Sequence, residues 1–182
     1  MRAEILALSV CLIGSIMPAV AQQSKAADAP AQWQYVKDDD LLHGKVHDRF
    51  ILDGVYLTPP HLPTKTPSLV VECSGGKVDQ NYFSTGAVIV HRDQSQNHGL
   101  LLIEGRIDGK KSDFLTTGLS TDGQSAFFTR IDLKGVLLAK QVIVGVYEYM
   151  GGQVVMRFDI PDPSPVMEKC GEDRMLKQRG KK

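Results

Sequence analysis

The chain has 182 residues, and its 21 basic and 21 acidic side chains give a formal net charge of zero at neutral pH. Balanced charge creates no overall field that favours nucleic acid or a polyanionic ligand, so neither is expected as a partner. The length is sufficient for one domain with its own core, without metal ions or several disulfides.

The N-terminus has the pattern of a secretory signal. Arg2 is followed by the uncharged and mostly apolar residues 5–20, and Ala19-Val20-Ala21 is a small-residue cleavage site. An uncleaved N-terminal anchor is the alternative, because the apolar run approaches the length of a membrane span. The pattern predicts a signal peptide over residues 1–21 and a periplasmic or secreted protein.

Composition divides the rest of the chain into three parts. Residues 22–32 are polar and rich in alanine, which is typical of a linker. Residues 33–171 carry the apolar patterning of a single β-rich domain. Residues 172–182 are predicted to be a disordered basic tail. Any contact with a membrane is expected only through an uncleaved signal or this tail.

Two cysteines remain after removal of the signal, Cys73 and Cys170. An even number in an exported chain indicates a disulfide, although two free buried thiols remain the alternative.

Short apolar runs alternate with turn residues along the domain. Residues 33–36 are predicted to begin the fold, and candidate strands cover residues 49–57, 68–73, 85–92, 99–107, 110–119 and 124–129. Asp108-Gly109 and Asp122-Gly123 are predicted turns, and Ser74-Gly75-Gly76-Lys77 is interpreted as a turn rather than a phosphate loop. Many short strands with little helix predict a mainly β domain, an antiparallel sandwich or barrel-like fold with one or two short helices.

The last two strands are predicted to form a hairpin around Gly151-Gly152. A two-residue turn there pairs Tyr147 with Met156 and Gly145 with Phe158. This register places Tyr147 and Tyr149 in the core, although an aromatic binding face formed by the two is the alternative. It also places a phenylalanine above a strand glycine and leaves Glu148 near Arg157 on the surface.

Two short helices flank this hairpin. Asp132 is predicted to cap the first, over residues 133–140. Either Asp162 or Ser164 is predicted to cap the second, over residues 166–170, which would bring Cys170 back to Cys73.

The order of these segments resembles a known family. It comprises a strand ending in cysteine (SLVVEC), a short helix (DLKGVLLAKQ), the strands VIVGVYEY and VVMRFDI, and a final Cys-Gly. Residues 33–171 resemble the periplasmic accessory proteins of type VI secretion, of the TagO/VasI kind, and related exported bacterial proteins. The resemblance implies a β-sandwich-like domain with Cys73 bridged to Cys170. It implies no catalytic residues.

The residues with most chemical potential lie in predicted loops. His43 and His47 are four apart with Asp38 nearby, a spacing that holds metal on a helix. Gly44 and Val46 disfavour a helix there, so a solvated loop is the favoured interpretation. His61 lies in residues 58–67, which contain four prolines and are expected to be exposed. Neither a metal nor a cofactor is predicted.

We therefore expect a non-enzymatic binding or accessory domain of the bacterial cell envelope. Its partner would be an envelope protein or a secretion-system subunit. The alternative is an envelope hydrolase of unfamiliar type that uses Asp38, His43, His47 or His61 from loops.

Overall fold

The computed structural model describes residues 30–40, 45–62, 65–90, 102–149 and 151–171. These residues form eleven strands and two short helices, which confirms the predicted mainly β class. The elements are β1 (Gln34–Asp40), β2 (Lys45–Asp53), β3 (Val55–Thr58), β4 (Ser68–Ser74), β5 (Lys77–Ser84), β6 (Leu102–Ile107), β7 (Lys110–Lys111), β8 (Phe114–Leu119), β9 (Ser125–Phe128), α1 (Arg130–Leu137), β10 (Gln141–Tyr147), β11 (Gln153–Asp159) and α2 (Ser164–Lys169).

The strands pair antiparallel in one continuous path, β1-β2-β4-β5-β9-β8-β6-β10-β11-β3, with β7 paired to β6. Only Gly54 separates β2 from β3, yet β2 pairs with β4 and β3 pairs with β11 near the opposite end of the path. The chain therefore draws the two ends of the path together at Gly54. The sheet curves over one core, consistent with a sandwich or barrel-like fold.

Four phenylalanines from different strands meet at the centre of this core. The ring centroid of Phe83 lies 4.5 Å from that of Phe128, and 5.6 Å from those of Phe114 and Phe158. All four side chains are buried. Their stacked and edge-on contacts join both halves of the strand path.

The predicted register of the closing hairpin is wrong. Tyr147 lies opposite Gln153, three positions from the predicted partner Met156. The chain reverses through a longer turn than Gly151-Gly152, because the amide of Glu148 donates to the carbonyl of Gly152 at 3.0 Å. When the register shifts by an odd number of residues, every side chain of one strand points to the opposite face relative to the partner strand. The core therefore receives Val142, Val144 and Val146.

This register also corrects three placements that depended on the predicted one. Tyr149 is 76% exposed rather than in the core, and Glu148 is buried rather than beside Arg157 on the surface. The glycine beneath the ring of Phe158 is Gly54, not Gly145.

Both helices begin earlier than predicted. Thr129, not Asp132, caps α1: its Oγ1 accepts from the amide of Asp132 at 3.3 Å and donates to the Asp132 carboxylate at 2.8 Å. The reciprocal bonds explain why Asp132 lies in the first turn. Before α2, the Asp162 carboxylate accepts from the amide of Ser164 at 3.1 Å, and Pro163 occupies the cap position.

A disulfide joins Cys73 in β4 to Cys170 at the end of α2, in agreement with the expectation from cysteine number. The two Cα atoms are 5.4 Å apart, within the range that a disulfide spans. Both cysteines are fully buried, so the bond attaches the C-terminal helix to the sheet from within the core.

Two predicted turns are confirmed by their backbone. Asp108 and Gly109 have φ of 49° and 79°, as a type I′ hairpin requires, and Gly75 and Gly76 also have positive φ.

The strand predicted over residues 85–92 is not formed by residues 85–90, the part of it that the structure describes. Residues 85–90 contain one isolated bridge, from Ile89 to Glu148, after a bend at Gly86 with φ of 63°.

No described helix has the length and apolar character needed to cross a bilayer. The predicted signal peptide, most of the predicted linker and the predicted basic tail lie outside the described residues.

Candidate ligand-binding cleft

The predicted loop residues do not form one group. Asp38 and His47 are direct partners in the β1–β2 pair, where His47 Nδ1 lies 3.9 Å from an Asp79 carboxylate oxygen. His61 lies in the proline-rich loop after β3 and contacts Glu148 instead. His43 is outside the described residues. Within the described ranges, no three His, Cys, Asp or Glu side chains are arranged to hold a metal ion.

A cleft of about 500 Å³ opens where four segments meet. These are the proline-rich loop, the segment after β5, the turn before β9 and the end of β10. Its lining residues are Leu62, Gly86, Ala87, Val88, Gln124, Glu148 and Tyr149. Among the described residues that line the cleft, Glu148 is the one with an acidic or basic side chain.

Backbone hydrogen bonds fix the walls of the cleft. The amide of Tyr149 donates to the carbonyl of Val88 at 2.9 Å, and the amide of Val90 donates to the carbonyl of Tyr147 at 2.8 Å. The amide of Ile89 donates to the carbonyl of Gly123 at 2.9 Å. The segment after β5 is thus held between the end of β10 and the turn before β9.

Tyr56 attaches the proline-rich loop to this wall. Its hydroxyl lies 2.7 Å from the carbonyl of Lys65 and 2.8 Å from that of Thr85, so one phenol proton serves two acceptors. Burial raises the pKa of Tyr56, which keeps that proton in place. Gly86 permits the close approach, because a Cβ there would lie 2.6 Å from the phenol oxygen.

The carboxylate of Glu148 is the main polar group of the cleft. Both of its oxygens accept from the backbone amide of His61 at 3.2 Å, and Oε1 also contacts His61 Nδ1. Glu148 is only 5% exposed, whereas the imidazole is 58% exposed. A Cβ at residue 152 would lie 2.9 Å from Oε1 and 3.0 Å from the ring, so Gly152 leaves space for the pair.

Apart from His61 and Gln124, the described side chains around this carboxylate in the cleft are apolar or aromatic. Leu62, Val88 and Tyr149 line the cleft, and all three are large exposed side chains. Exposed apolar groups around a buried acceptor are typical of small-molecule sites, where a few polar groups orient an otherwise apolar ligand. The arrangement suits a ligand with an apolar body and a hydrogen-bond donor.

Sequence reasoning missed Glu148 because the predicted register assigned it to a solvated face. The available signal was its position, since the acidic residue is next to last in the otherwise uncharged stretch VIVGVYEY. His61 was identified, but its partner lies 87 residues away. A contact of that sequence separation is not visible in local patterns.

A second polar cluster lies on the outer face of β2, β4 and β5. Arg49 Nε donates to Glu72 Oε1 at 2.8 Å, and the Tyr82 hydroxyl donates to the same oxygen at 3.2 Å. Burial and then the charge of Glu72 raise the pKa of Tyr82 to about 12. These groups satisfy one another across neighbouring strands, which is a structural role.

Comparisons with known proteins return no matching family model, no matching curated protein and no matching solved structure.

Proposed function

We propose that this protein is an exported binding domain of the bacterial cell envelope, and that its ligand occupies the cleft. The observation that carries the proposal is an open apolar cleft built around one buried carboxylate, Glu148. Export is supported by the signal pattern of residues 1–21. The buried disulfide suits an oxidising compartment.

The distribution of the predicted loop residues supports binding over hydrolysis. A catalytic site needs its acid and base within hydrogen-bonding reach of one substrate position. Asp38 and His47 lie together on β1 and β2, whereas His61 contacts Glu148 at the cleft. In keeping with the resemblance to type VI secretion accessory proteins, the partner that supplies the ligand group is an envelope protein or a secretion-system subunit.

Site-specific photo-cross-linking in intact cells tests this function. A photoreactive phenylalanine analogue replaces Tyr149 at the cleft or Ile131 on α1, since both side chains are strongly exposed, at 76% and 87%. We expect a discrete adduct at position 149 and none of that mass at position 131. Equal labelling at the two positions would contradict a binding role for the cleft, and recovery of the protein in the cytoplasm would contradict export.

One observation favours a second candidate, a hydrolase that uses His61 as general base. When Glu148 is ionised and accepts from Nδ1–H, the other ring nitrogen of His61 is left as a proton acceptor. p-Nitrophenyl acetate serves as the probe. This candidate expects release of nitrophenol that His61→Gln abolishes and His47→Gln preserves. Equal rates in all three proteins would eliminate it.

A further inference from the structure

We propose that the cleft binds an organic cation, a primary ammonium group on an apolar body. The ammonium pairs with Glu148, and the body packs on Leu62, Val88 and Tyr149. This inference depends on the proposed function, because it names the ligand class of the same site.

The charge of the cleft selects a cation over an anion. Glu148 is an acid, and no lysine or arginine is among the described residues that line the cleft. Lys65 lies in the adjoining loop and acts on Asp122: hydrogen bonds from Ser120 and Gln124 lower the pKa of Asp122 most, and the charge of Lys65 adds to them. An anionic ligand would therefore meet a carboxylate, with no lysine or arginine among the described lining residues to offset the repulsion.

The carboxylate has capacity for a ligand donor. An ionised carboxylate offers about four acceptor positions. The His61 amide is shared between the two oxygens, and Nδ1 contacts Oε1. Acceptor positions therefore remain, and an ammonium group carries three donors that can reach them.

The imidazole of His61 acts as an exchangeable cover. Its ring is 58% exposed, so rotation into solvent forfeits little buried contact. The backbone amide of His61 remains bonded to Glu148 when the ring leaves, so the carboxylate stays oriented. A ligand ammonium then replaces Nδ1 at Oε1, and the ring of Tyr149 is available for a cation–π contact.

The dimensions and walls of the cleft fit this class of ligand. A volume of about 500 Å³ is within the usual range for small-molecule sites. Leu62 and Val88 offer hydrocarbon surface for an alkyl chain, while Glu148 is only 5% exposed. A charge-assisted hydrogen bond in such surroundings is stronger than one on an open surface.

Titration of the exported, oxidised protein with three matched probes tests the inference. The probes are n-hexylamine, hexan-1-ol and hexanoate, and binding is followed by protein NMR at neutral pH. We expect the amine to bind about tenfold tighter than the alcohol, and hexanoate to bind weakest. Hexanoate binding as tightly as hexylamine would overturn the inference.

Variants separate the charge from the shape of the site. Glu148→Gln should abolish the preference for amine over alcohol. Because that change also weakens the attachment of the His61 loop, His61→Ala provides a second test. It keeps the carboxylate and the backbone amide, and removal of the competing ring should tighten hexylamine binding about threefold or more. Weaker or unchanged binding in His61→Ala would contradict the exchange.

Substitutions at two exposed positions test the contribution of the cleft wall to binding. Tyr149→Ser should weaken hexylamine binding without loss of fold, whereas Ile131→Ser on α1 should leave it unchanged. A cross-linked adduct at position 149, together with no preference among the three probes, would overturn the cationic ligand but retain the proposed function. Absence of both an adduct and a preference would overturn both.

Discussion

Gly54 lies directly beneath the aromatic ring of Phe158. A Cβ at residue 54 would come within 2.6 Å of Phe158 Cε1 and 2.8 Å of the backbone carbonyl of Arg157. The contact sits at the bend where the chain passes from β2 to β3. Neither neighbour can move freely, because Phe158 is fully buried in the core and the carbonyl belongs to a paired strand.

Gly54→Ala is therefore expected to destabilise the protein. Overpacking of this kind costs about 1–3 kcal/mol, measured as the free energy of unfolding in urea. Gly118→Ala is the matched control, because a Cβ at this strand glycine would meet nothing within 4 Å. The control should be unchanged or stabilised by up to about 1 kcal/mol. Equal effects of the two substitutions would contradict the packing argument.

Loss of the Cys73–Cys170 disulfide should reduce stability strongly. The bond closes a sequence separation of 97 residues, for which the chain-entropy model gives about 4–5 kcal/mol. Urea unfolding with and without reductant measures the difference. The double variant Cys73→Ala with Cys170→Ala should be insensitive to reductant. If both thiols of the untreated exported protein react with an alkylating reagent, the disulfide is contradicted.

Asp108 should make stability depend on pH in the acid range. Hydrogen bonds from the backbone amides of Gln141 and Lys140, at 3.0 Å and 2.8 Å, hold the pKa of Asp108 below its usual value. A lowered folded-state pKa contributes stability above the unfolded pKa, and that contribution is lost as pH falls through the folded value.

Asp108→Asn isolates this contribution. Asparagine tolerates the positive φ of 49° and retains an acceptor oxygen, so the turn is preserved. Urea unfolding at about pH 5 and about pH 3 should show a smaller loss of stability in the variant than in the wild type. Parallel losses in the two proteins would contradict the assignment.

Tyr82 should make stability depend on pH in the alkaline range. Burial, followed by the charge of Glu72, raises its pKa to about 12. A raised folded-state pKa contributes stability that is fully present below the unfolded pKa of about 10. This contribution is lost as pH rises through the folded-state pKa. Tyr82→Phe should lose less stability than the wild type between about pH 10 and about pH 12. Phenolate absorbance of the folded protein provides an independent check, and titration of Tyr82 near the usual tyrosine pKa would contradict the prediction.

Local features were predictable wherever neighbouring residues determine them. Asp108-Gly109 forms the expected turn because positive φ is accessible to these two residue types. Leu69, Val71 and Cys73 alternate along the predicted strand of residues 68–73, and all three are fully buried. The helix before β10 was also predicted, although its cap was assigned to Asp132 rather than Thr129.

The candidate site was only half predictable. Residue type alone identifies His61 as a loop candidate. Two other residues predicted with it, Asp38 and His47, lie instead on β1 and β2. The adjacent glycines Gly151 and Gly152 favour a two-residue turn, and that turn places Glu148 on the surface. In the structure the Glu148 amide donates to the carbonyl of Gly152, so the turn is longer than two residues. The side chains of β10 therefore point to the opposite faces from those predicted.

Patterning along the chain predicted a β-rich domain, and cysteine number favoured a disulfide between Cys73 and Cys170, because alternation and cysteine number are properties of the sequence itself. Tertiary structure decided the register of β10 against β11, the bend at Gly54 and the contact of His61 with Glu148. Each of these depends on packing between residues far apart in sequence, where several local arrangements are nearly equal in free energy and the shared core selects one.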